Sequence, residues 1–219
     1  MDVVKVYPPY LYAIRYAGDQ LHIYDLVQKR LTNLDYLENF FEVFQESISD
    51  FIVAETGIPI EETQEYIDLV SDQMYNIRED IRNICKSLLE GDSENFGNLF
   101  KIHSENDIRE MPEGGGASSH YSKPYLPVKC YGTKNHPPLV RIYAIEMSLD
   151  CYIIIYGGIK LNRKTNTSPA LDEKGNKTFL EDEIRRRVIA VCDFLASKGI
   201  LDKDGLIEYM EEDHEEHED

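Results

Sequence analysis

Apolar residues recur at helical spacing over two long stretches in the first half of the chain. From Leu34 to Ile52 they return every three or four positions, and Asn33 just before them is a residue type that caps helix N-termini. A second stretch begins after Pro59 and ends at Gly91, with an apolar residue at every seventh position. These heptad positions are Ile60, Ile67, Met74, Ile81 and Leu88. The pattern predicts two long helices, the second of which packs against the first or against another copy of the chain.

Segments typical of β-strands lie on either side of these helices. Leu11 to Arg15 predicts a strand, and Leu21 to Leu26 predicts either its returning partner or the start of a helix. Farther along, Val140 to Ile145 alternates, whereas Cys151 to Tyr156 is apolar nearly throughout. We therefore expect a β-hairpin whose second strand is buried on both faces. The Gly157-Gly158 pair that follows predicts a bulge or a close backbone approach.

The last third of the chain predicts one further helix and an acidic end. The helix runs from about Phe179 to Lys198, with Arg185, Arg186 and Arg187 on its outer turn. Residues 208–219 hold eight acidic residues and no Lys or Arg, which predicts a disordered tail. Together the elements predict a single α+β domain over residues 1–207. This domain carries an inserted long helical hairpin at about 34–91, and glycine and proline predict a long loop at about 103–138.

The composition narrows the classes of function. A net charge of −18 argues against indiscriminate binding to nucleic acid, because the field of the whole molecule repels polyanions. No apolar run approaches the roughly 20 residues of a membrane span, so we expect a cytoplasmic protein without membrane contact. The four cysteines lack the close spacing of a zinc site or a disulfide framework. We therefore predict reduced thiols, no bound metal and no cofactor.

Positive charge is nevertheless concentrated in one region. Residues 123–164 contain seven Lys or Arg residues and two carboxylates. Alternation places Arg141 and Tyr143 on one face of a strand, where a guanidinium can bind phosphate and a phenol ring can stack on a base. Lys160 follows the double glycine, where a ligand can approach closely. The alternative is that Arg141 and Lys160 simply pair with some of the abundant carboxylates.

The same region resembles a known family. The sequence LVRIYAI, a turn, YIIIYGGIKLNRKT and an arginine-rich helix are similar to the C-terminal half of RelE/HigB-type toxins of bacterial toxin–antitoxin modules. The resemblance covers about residues 139–200. The leading sequence LYAIRYAGD and the DYLENFFE helix also resemble a group of uncharacterised bacterial proteins that share a YAI…GGxIKL signature. The toxins are about half as long and basic, whereas this chain is acidic.

The resemblance implies an antiparallel curved β-sheet like that of RelE. It also implies a toxin-like component of a toxin–antitoxin or phage-defence module, an endoribonuclease that cleaves mRNA without a metal. In that reaction the 2′-hydroxyl attacks its own phosphate while side chains supply position, a proton acceptor and positive charge. The expected catalytic residues are Arg141, Tyr143, Lys160 and Lys164. The expected nucleic-acid-binding residues are Lys123, Lys129, Tyr156 and Arg163.

The implied partners are mRNA or the ribosome and a protein such as an antitoxin, and the helix over residues 60–88 could form a homodimer. A second hypothesis is a non-catalytic acidic interaction protein, regulatory, antitoxin-like or anti-defence, that binds a protein partner. The two hypotheses differ in one structural expectation. A nuclease needs its cations to converge in a groove, whereas an interaction protein has them neutralised by Asp or Glu.

Overall fold

The computed structural model describes residues 1–60, 62–91, 96–102, 125–148, 150–162, 167–172 and 175–215. Within these ranges the chain has an α+β fold built on a six-stranded sheet in the order β1-β2-β6-β5-β4-β3. The strands of this sheet are β1 Asp2–Tyr7, β2 Leu11–Arg15, β3 Lys101–Ile102, β4 Leu126–Cys130, β5 Val140–Ser148 and β6 Cys151–Ile159. A separate two-stranded hairpin consists of β7 Pro169–Leu171 and β8 Lys177–Phe179.

The sheet is mixed. Strands β2 and β6 run parallel, with Leu11 opposite Tyr152 and Ala13 opposite Ile154, whereas the other neighbouring strands are antiparallel. The prediction of an antiparallel sheet is therefore wrong for this pair. A parallel pair requires a long crossover, and the helices between β2 and β6 provide it. The predicted hairpin of β5 and β6 is confirmed, and every residue of β6 is buried.

Five α-helices accompany the sheet in the described part of the chain. They are α1 Ile23–Leu31, α2 Leu34–Thr56, α3 Thr63–Glu90, α4 Leu180–Ser197 and α5 Lys203–Glu215. The predicted cap is confirmed, because the Asn33 side chain accepts a hydrogen bond of 2.7 Å from the backbone N–H of Tyr36. A short 3-10 helix, Phe96–Asn98, follows α3.

The two long helices, α2 and α3, contact each other within the chain. On α3 the heptad residues Ile67, Met74 and Ile81 are buried, so this apolar stripe belongs to the core of the chain itself. The predicted packing of one long helix against the other is confirmed. A homodimer through α3 stays a prediction, and it would use another face of the helix.

Helices cover both faces of the sheet. Successive residues of a strand point to opposite faces, and the two glycines at the end of β6 show which helix lies on each. A Cβ atom added to Gly157 would lie 2.6 Å from Val27 Cγ1 of α1, whereas one added to Gly158 would lie 3.4 Å from Leu180 Cδ1 of α4. The sheet is thus enclosed between α1 and α4, and the close contact at Gly157 is made by the side chain of Val27 and not by another backbone.

A polar stripe on α3 holds the segment that leads into β5. The buried amide of Gln73 accepts hydrogen bonds from the backbone N–H groups of Leu139 and Val140 and donates one to the carbonyl of Pro137. Two turns farther along α3, Asp80 accepts hydrogen bonds from the backbone N–H and the hydroxyl of Thr133. These contacts fix the position at which β5 enters the sheet.

Two regions differ from the sequence-based expectation. The segment predicted as a long loop contains β4, which pairs with β5 near the middle of the sheet. Alternation in LPVKC is interrupted by Pro127, which hides the strand signal. The acidic end is helical through Glu215, since α5 packs its Leu206 and Met210 into the core. All four cysteines are unpaired and buried.

Candidate anion-binding site

The site lies where β2 separates from β6. The parallel pairing of these strands ends at Ala13 and Ile154, and side chains satisfy the next carbonyls of β6. The Tyr16 hydroxyl donates a hydrogen bond of 2.8 Å to the carbonyl of Ile155, and the Arg30 guanidinium donates one to the carbonyl of Gly157. The end of β2, the end of β6 and the last turn of α1 therefore meet at one notch in the sheet.

The close packing of α1 brings Arg30 to this notch. His22 caps the helix by accepting a hydrogen bond from the backbone N–H of Asp25, and the absence of a side chain at Gly157 lets Val27 rest on the strand. Arg30 lies one turn beyond Val27 and extends over the same part of β6. Its guanidinium carbon is 5.5 Å from the centroid of the Tyr156 ring and 5.6 Å from that of Tyr36.

Helix α4 supplies a second arginine from the other face of the sheet. The Arg187 guanidinium carbon lies 4.4 Å from the Tyr16 ring centroid and 4.9 Å from the Tyr156 ring centroid. Only 3% of Arg187 is exposed. Its Nε atom is 3.8 Å from Glu183 Oε2, and the same carboxylate oxygen accepts a 2.7 Å hydrogen bond from Arg186. Glu183 therefore shares its charge between two arginines.

Two guanidinium groups thus face the ring of one tyrosine. We call Arg30, Arg187, Tyr16, Tyr36 and Tyr156 the arginine cluster. Each cation–π contact is worth roughly 0.5–2 kcal/mol depending on how fully the cation is desolvated, so the rings offset part of the cost of bringing two cations together. Burial raises the pKa of the Tyr36 phenol, an effect that the neighbouring Arg30 charge opposes.

A cavity of about 460 Å³ opens onto this cluster. Arg187 lies buried at its wall, whereas Arg30 and Tyr36 are half-buried. The charged residues of its wall are three cations, Lys29, Arg30 and Arg187, and one carboxylate, that of Asp19. Among the described residues no carboxylate forms an ion pair with Arg30 or Lys29. The cavity therefore combines concavity, positive charge and an aromatic ring, which suits a compact anion.

Part of the sequence-predicted site is brought together on the face of the sheet toward α4. Lys129 lies opposite Tyr143, and Tyr143 lies opposite Tyr156, so these three residues form one row across β4, β5 and β6. The Tyr143 and Tyr156 rings stack with centroids 6.4 Å apart. Both tyrosines are buried, and Tyr156 joins the row to the arginine cluster.

The two predicted cations that the structure describes near this row are also buried. Arg141 is 8% exposed and Lys160 is 7% exposed. The Arg141 guanidinium lies 4.7 Å from the Tyr131 ring centroid and donates a hydrogen bond of 3.2 Å to the carbonyl of Val140. Burial lowers the pKa of Arg141, while the neighbouring phenols act in the opposite direction. These side chains are packed inside the fold, and their predicted roles stay predictions.

Three further predicted residues, Lys123, Arg163 and Lys164, lie outside the described residues. The predicted groove around Arg141, Lys160 and Lys164 is consequently described at only two of its three cations.

Sequence reasoning missed Arg30 and misplaced Arg187. The sequence predicts Arg187 on the outer turn of its helix, but Arg187 is buried, because the helix turns Arg186 toward solvent and Arg187 toward Tyr156. The sequence signal for a buried Arg187 is its position on the apolar stripe of the helix, one turn from both Ile184 and Val191. Arg30 carries no comparable signal, since its position depends on a strand carbonyl 127 residues away.

The described residues contain no group of three His, Cys, Asp or Glu side chains arranged to hold a metal ion. Among the helices of the described ranges, none has the length and apolarity needed to cross a membrane. Comparison of the chain with protein-family models, with curated proteins and with solved structures found no match. The fold and the site geometry are therefore the basis for any functional assignment.

Proposed function

We propose that this protein binds the phosphate group of a nucleotide-type ligand in the cavity of the arginine cluster. One observation carries the proposal: Arg30 and Arg187 reach the same cavity from opposite faces of the sheet and face the same Tyr156 ring, at 5.5 and 4.9 Å. A guanidinium matches the geometry of phosphate oxygens with two parallel N–H groups.

The charge of the cavity supports a compact anion as the ligand. The chain as a whole carries a net charge of −18, yet the cavity wall has three cations and one carboxylate. Long polyanions meet the repulsive field of the remaining surface, whereas a small anion samples mainly the local field inside the concave site. The site therefore favours nucleotides and short oligonucleotides over long nucleic acids.

The size and lining of the cavity support a ligand that also has an aromatic group. Its volume of about 460 Å³ falls within the roughly 300–1,000 Å³ of small-molecule sites. The half-buried Tyr36 ring lines it beside the apolar residues Ile23 and Leu26. A base can stack on such a ring while the guanidinium groups hold its phosphate.

The test measures the binding of AMP and of adenosine by isothermal titration calorimetry. We expect AMP to bind and adenosine to bind at least about tenfold more weakly, because only AMP offers charge to the arginines. Arg30→Met should weaken AMP binding about 10- to 100-fold and leave adenosine unchanged. Arg82→Met is the matched control, since Arg82 is a largely exposed residue of α3 outside the cavity. Equal affinities for AMP and adenosine would refute the proposal.

A second proposal is the toxin-like endoribonuclease, with RelE-like curvature of the sheet and an antitoxin as partner. It is supported by the sequence resemblance and by the row of Lys129, Tyr143 and Tyr156 that adjoins the arginine cluster. Both proposals place the protein in the cytoplasm, where nucleotides and mRNA occur. Inducible expression in a bacterium tests the nuclease: the wild type should arrest growth and Arg141→Ala/Lys160→Ala should not, whereas harmless expression of both would exclude it.

A further inference from the structure

A second cavity lies on the other side of α1. Its volume is about 310 Å³, and its far wall is formed by Met74, Tyr75 and Arg78 of α3. The side of α1 that faces this cavity carries Asp25, Gln28 and Lys29. Gln28 and Lys29 follow Asp25 by three and four residues, so all three lie on the same side of the helix. Lys29 also lines the cavity of the arginine cluster, so one lysine on the ridge of α1 belongs to both cavities.

The second cavity has cations available for a ligand. Its single carboxylate, that of Asp25, is engaged by the His22 ring, with 3.2 Å between Nε2 and Oδ2. Among the described residues no carboxylate lies within ion-pair distance of Lys29 or Arg78. The balance of charge in this cavity therefore also favours an anion, although the chain as a whole carries a net charge of −18.

An aromatic ring is exposed at the same cavity. Tyr75 is 62% exposed, although a tyrosine side chain usually buries most of its apolar ring. It stands one turn before Arg78 on α3, so the ring and the guanidinium are neighbours on the helix surface. An exposed ring beside a cation is the combination by which proteins stack bases and hold the backbone of single strands.

The width of α1 determines the length of the ligand. A helix with its side chains is roughly 10–12 Å across, so a single nucleotide held by Arg30 and Arg187 cannot also reach Tyr75 and Arg78. A ligand that occupies both cavities has to cross the ridge at Lys29 and continue on the other side. We infer that the ligand is a short single-stranded oligonucleotide, with one phosphate at the arginine cluster and the next nucleotides stacked against Tyr75 beside Arg78.

This inference rests on the proposed function, and the experiment separates the two. Calorimetry compares AMP with the 5′-phosphorylated trinucleotide pApApA on the full chain. We expect pApApA to bind at least about tenfold more tightly than AMP. Tyr75→Ala should weaken the trinucleotide about 5- to 150-fold and Arg78→Gln in the same direction, while neither changes AMP binding. Arg82→Gln, one turn farther along α3, lies outside both cavities and should change neither ligand.

Equal affinities for the two ligands would overturn the inference and leave the proposed function standing. Tighter binding of the trinucleotide that is insensitive to Tyr75→Ala and Arg78→Gln would also overturn the inference alone. Absence of binding for both AMP and pApApA would overturn the inference together with the proposed function. Tyr75 and Arg78 are both exposed at the helix surface, so their variants should keep the stability of the wild type, which urea denaturation verifies.

Discussion

The guanidinium of Arg187 lies 4.9 Å from the centroid of the Tyr156 ring, inside the fold. Tyr156 belongs to the central strand β6 and is 2% exposed, so its ring is a fixed surface on which Arg187 and Arg30 are both oriented. The tyrosine therefore connects the core of the sheet to the cavity. Any change in the position of this ring should affect both stability and ligand binding.

The first prediction concerns that ring. Tyr156→Leu removes the aromatic face and leaves space in a packed core, so we expect a loss of about 2–4 kcal/mol in the free energy of unfolding. Tyr156→Phe retains the ring and should cost less than about 1.5 kcal/mol. Urea denaturation followed by circular dichroism measures both. Equal effects of the two substitutions would show that the ring face does not orient the arginines.

The second prediction concerns the contact between α1 and β6. Gly157→Ala places a Cβ atom 2.6 Å from Val27 Cγ1 and 2.9 Å from Ile142 Cδ1, which forces the helix or the strand to shift. We expect destabilisation of about 1–3 kcal/mol, measured by urea denaturation. Gly158→Ala is the matched control, because its nearest neighbour, Leu180 Cδ1, would be at an ordinary 3.4 Å.

A double variant shows whether the helix is the cause. In a Val27→Ala background the same Gly157→Ala change should cost less, because the closest atoms have been removed. An unchanged cost in that background would assign the penalty to Ile142 instead. The displaced α1 of Gly157→Ala should also weaken AMP binding, since α1 carries Arg30.

The helices and strands that could be predicted from the sequence are those with a local sequence pattern. The seven-residue repeat identified α3, the Asn33 cap identified the start of α2, and the apolar run from Cys151 identified the buried strand β6. Each of these signals depends on residues close in sequence. The β5–β6 hairpin was predictable for the same reason, because its two strands are joined by a short turn.

The parts that could not be predicted depend on distant contacts. The parallel pairing of β2 with β6 joins Leu11 to Tyr152. No local pattern in the sequence encodes which strand β2 pairs with. The resemblance and the charge count drew attention to Arg141 and Lys160, which the structure buries. The arginine cluster instead assembles Arg30 and Arg187 from two helices that are far apart in sequence. Charge counted along the chain does not reveal such convergence.

The third prediction concerns Gln73. Gln73→Leu keeps a similar volume but leaves the N–H groups of Leu139 and Val140 and the carbonyl of Pro137 without their partner. Because buried orphaned groups cost roughly 1–3 kcal/mol each, partly relieved by relaxation, we expect a loss of about 2–5 kcal/mol in urea denaturation. Gln64→Leu makes the same change at an exposed position of α3 and should alter stability by less than about 0.5 kcal/mol.

The fourth prediction concerns the four buried thiols. Burial raises the pKa of Cys85, Cys130 and Cys192 to about 12 and that of Cys151 to about 11. In the unfolded chain a thiol loses its proton near pH 8.5. Between these values the unfolded state binds fewer protons than the native state, so the free energy of unfolding should be constant below about pH 8 and fall as the pH rises above it. Each thiol contributes a slope of up to about 1.4 kcal/mol per pH unit.

Urea denaturation between pH 7 and pH 10.5 measures this slope, and Cys85→Ala/Cys192→Ala separates thiols from the other titrating groups. Buried tyrosines such as Tyr125, whose pKa burial raises to about 12, add to the decline only near and above pH 10. Between pH 8.5 and 9.5 the double variant should therefore lose stability about half as steeply as the wild type, because two of the four thiols remain.

The native thiols should also react slowly with Ellman's reagent at pH 8 and rapidly in urea. Only a thiolate attacks the reagent, and the thiols of the native protein are buried and protonated. Identical slopes in the two proteins, or rapid reaction of the native thiols, would mean that the cysteines are accessible to water and do not belong to the packed core.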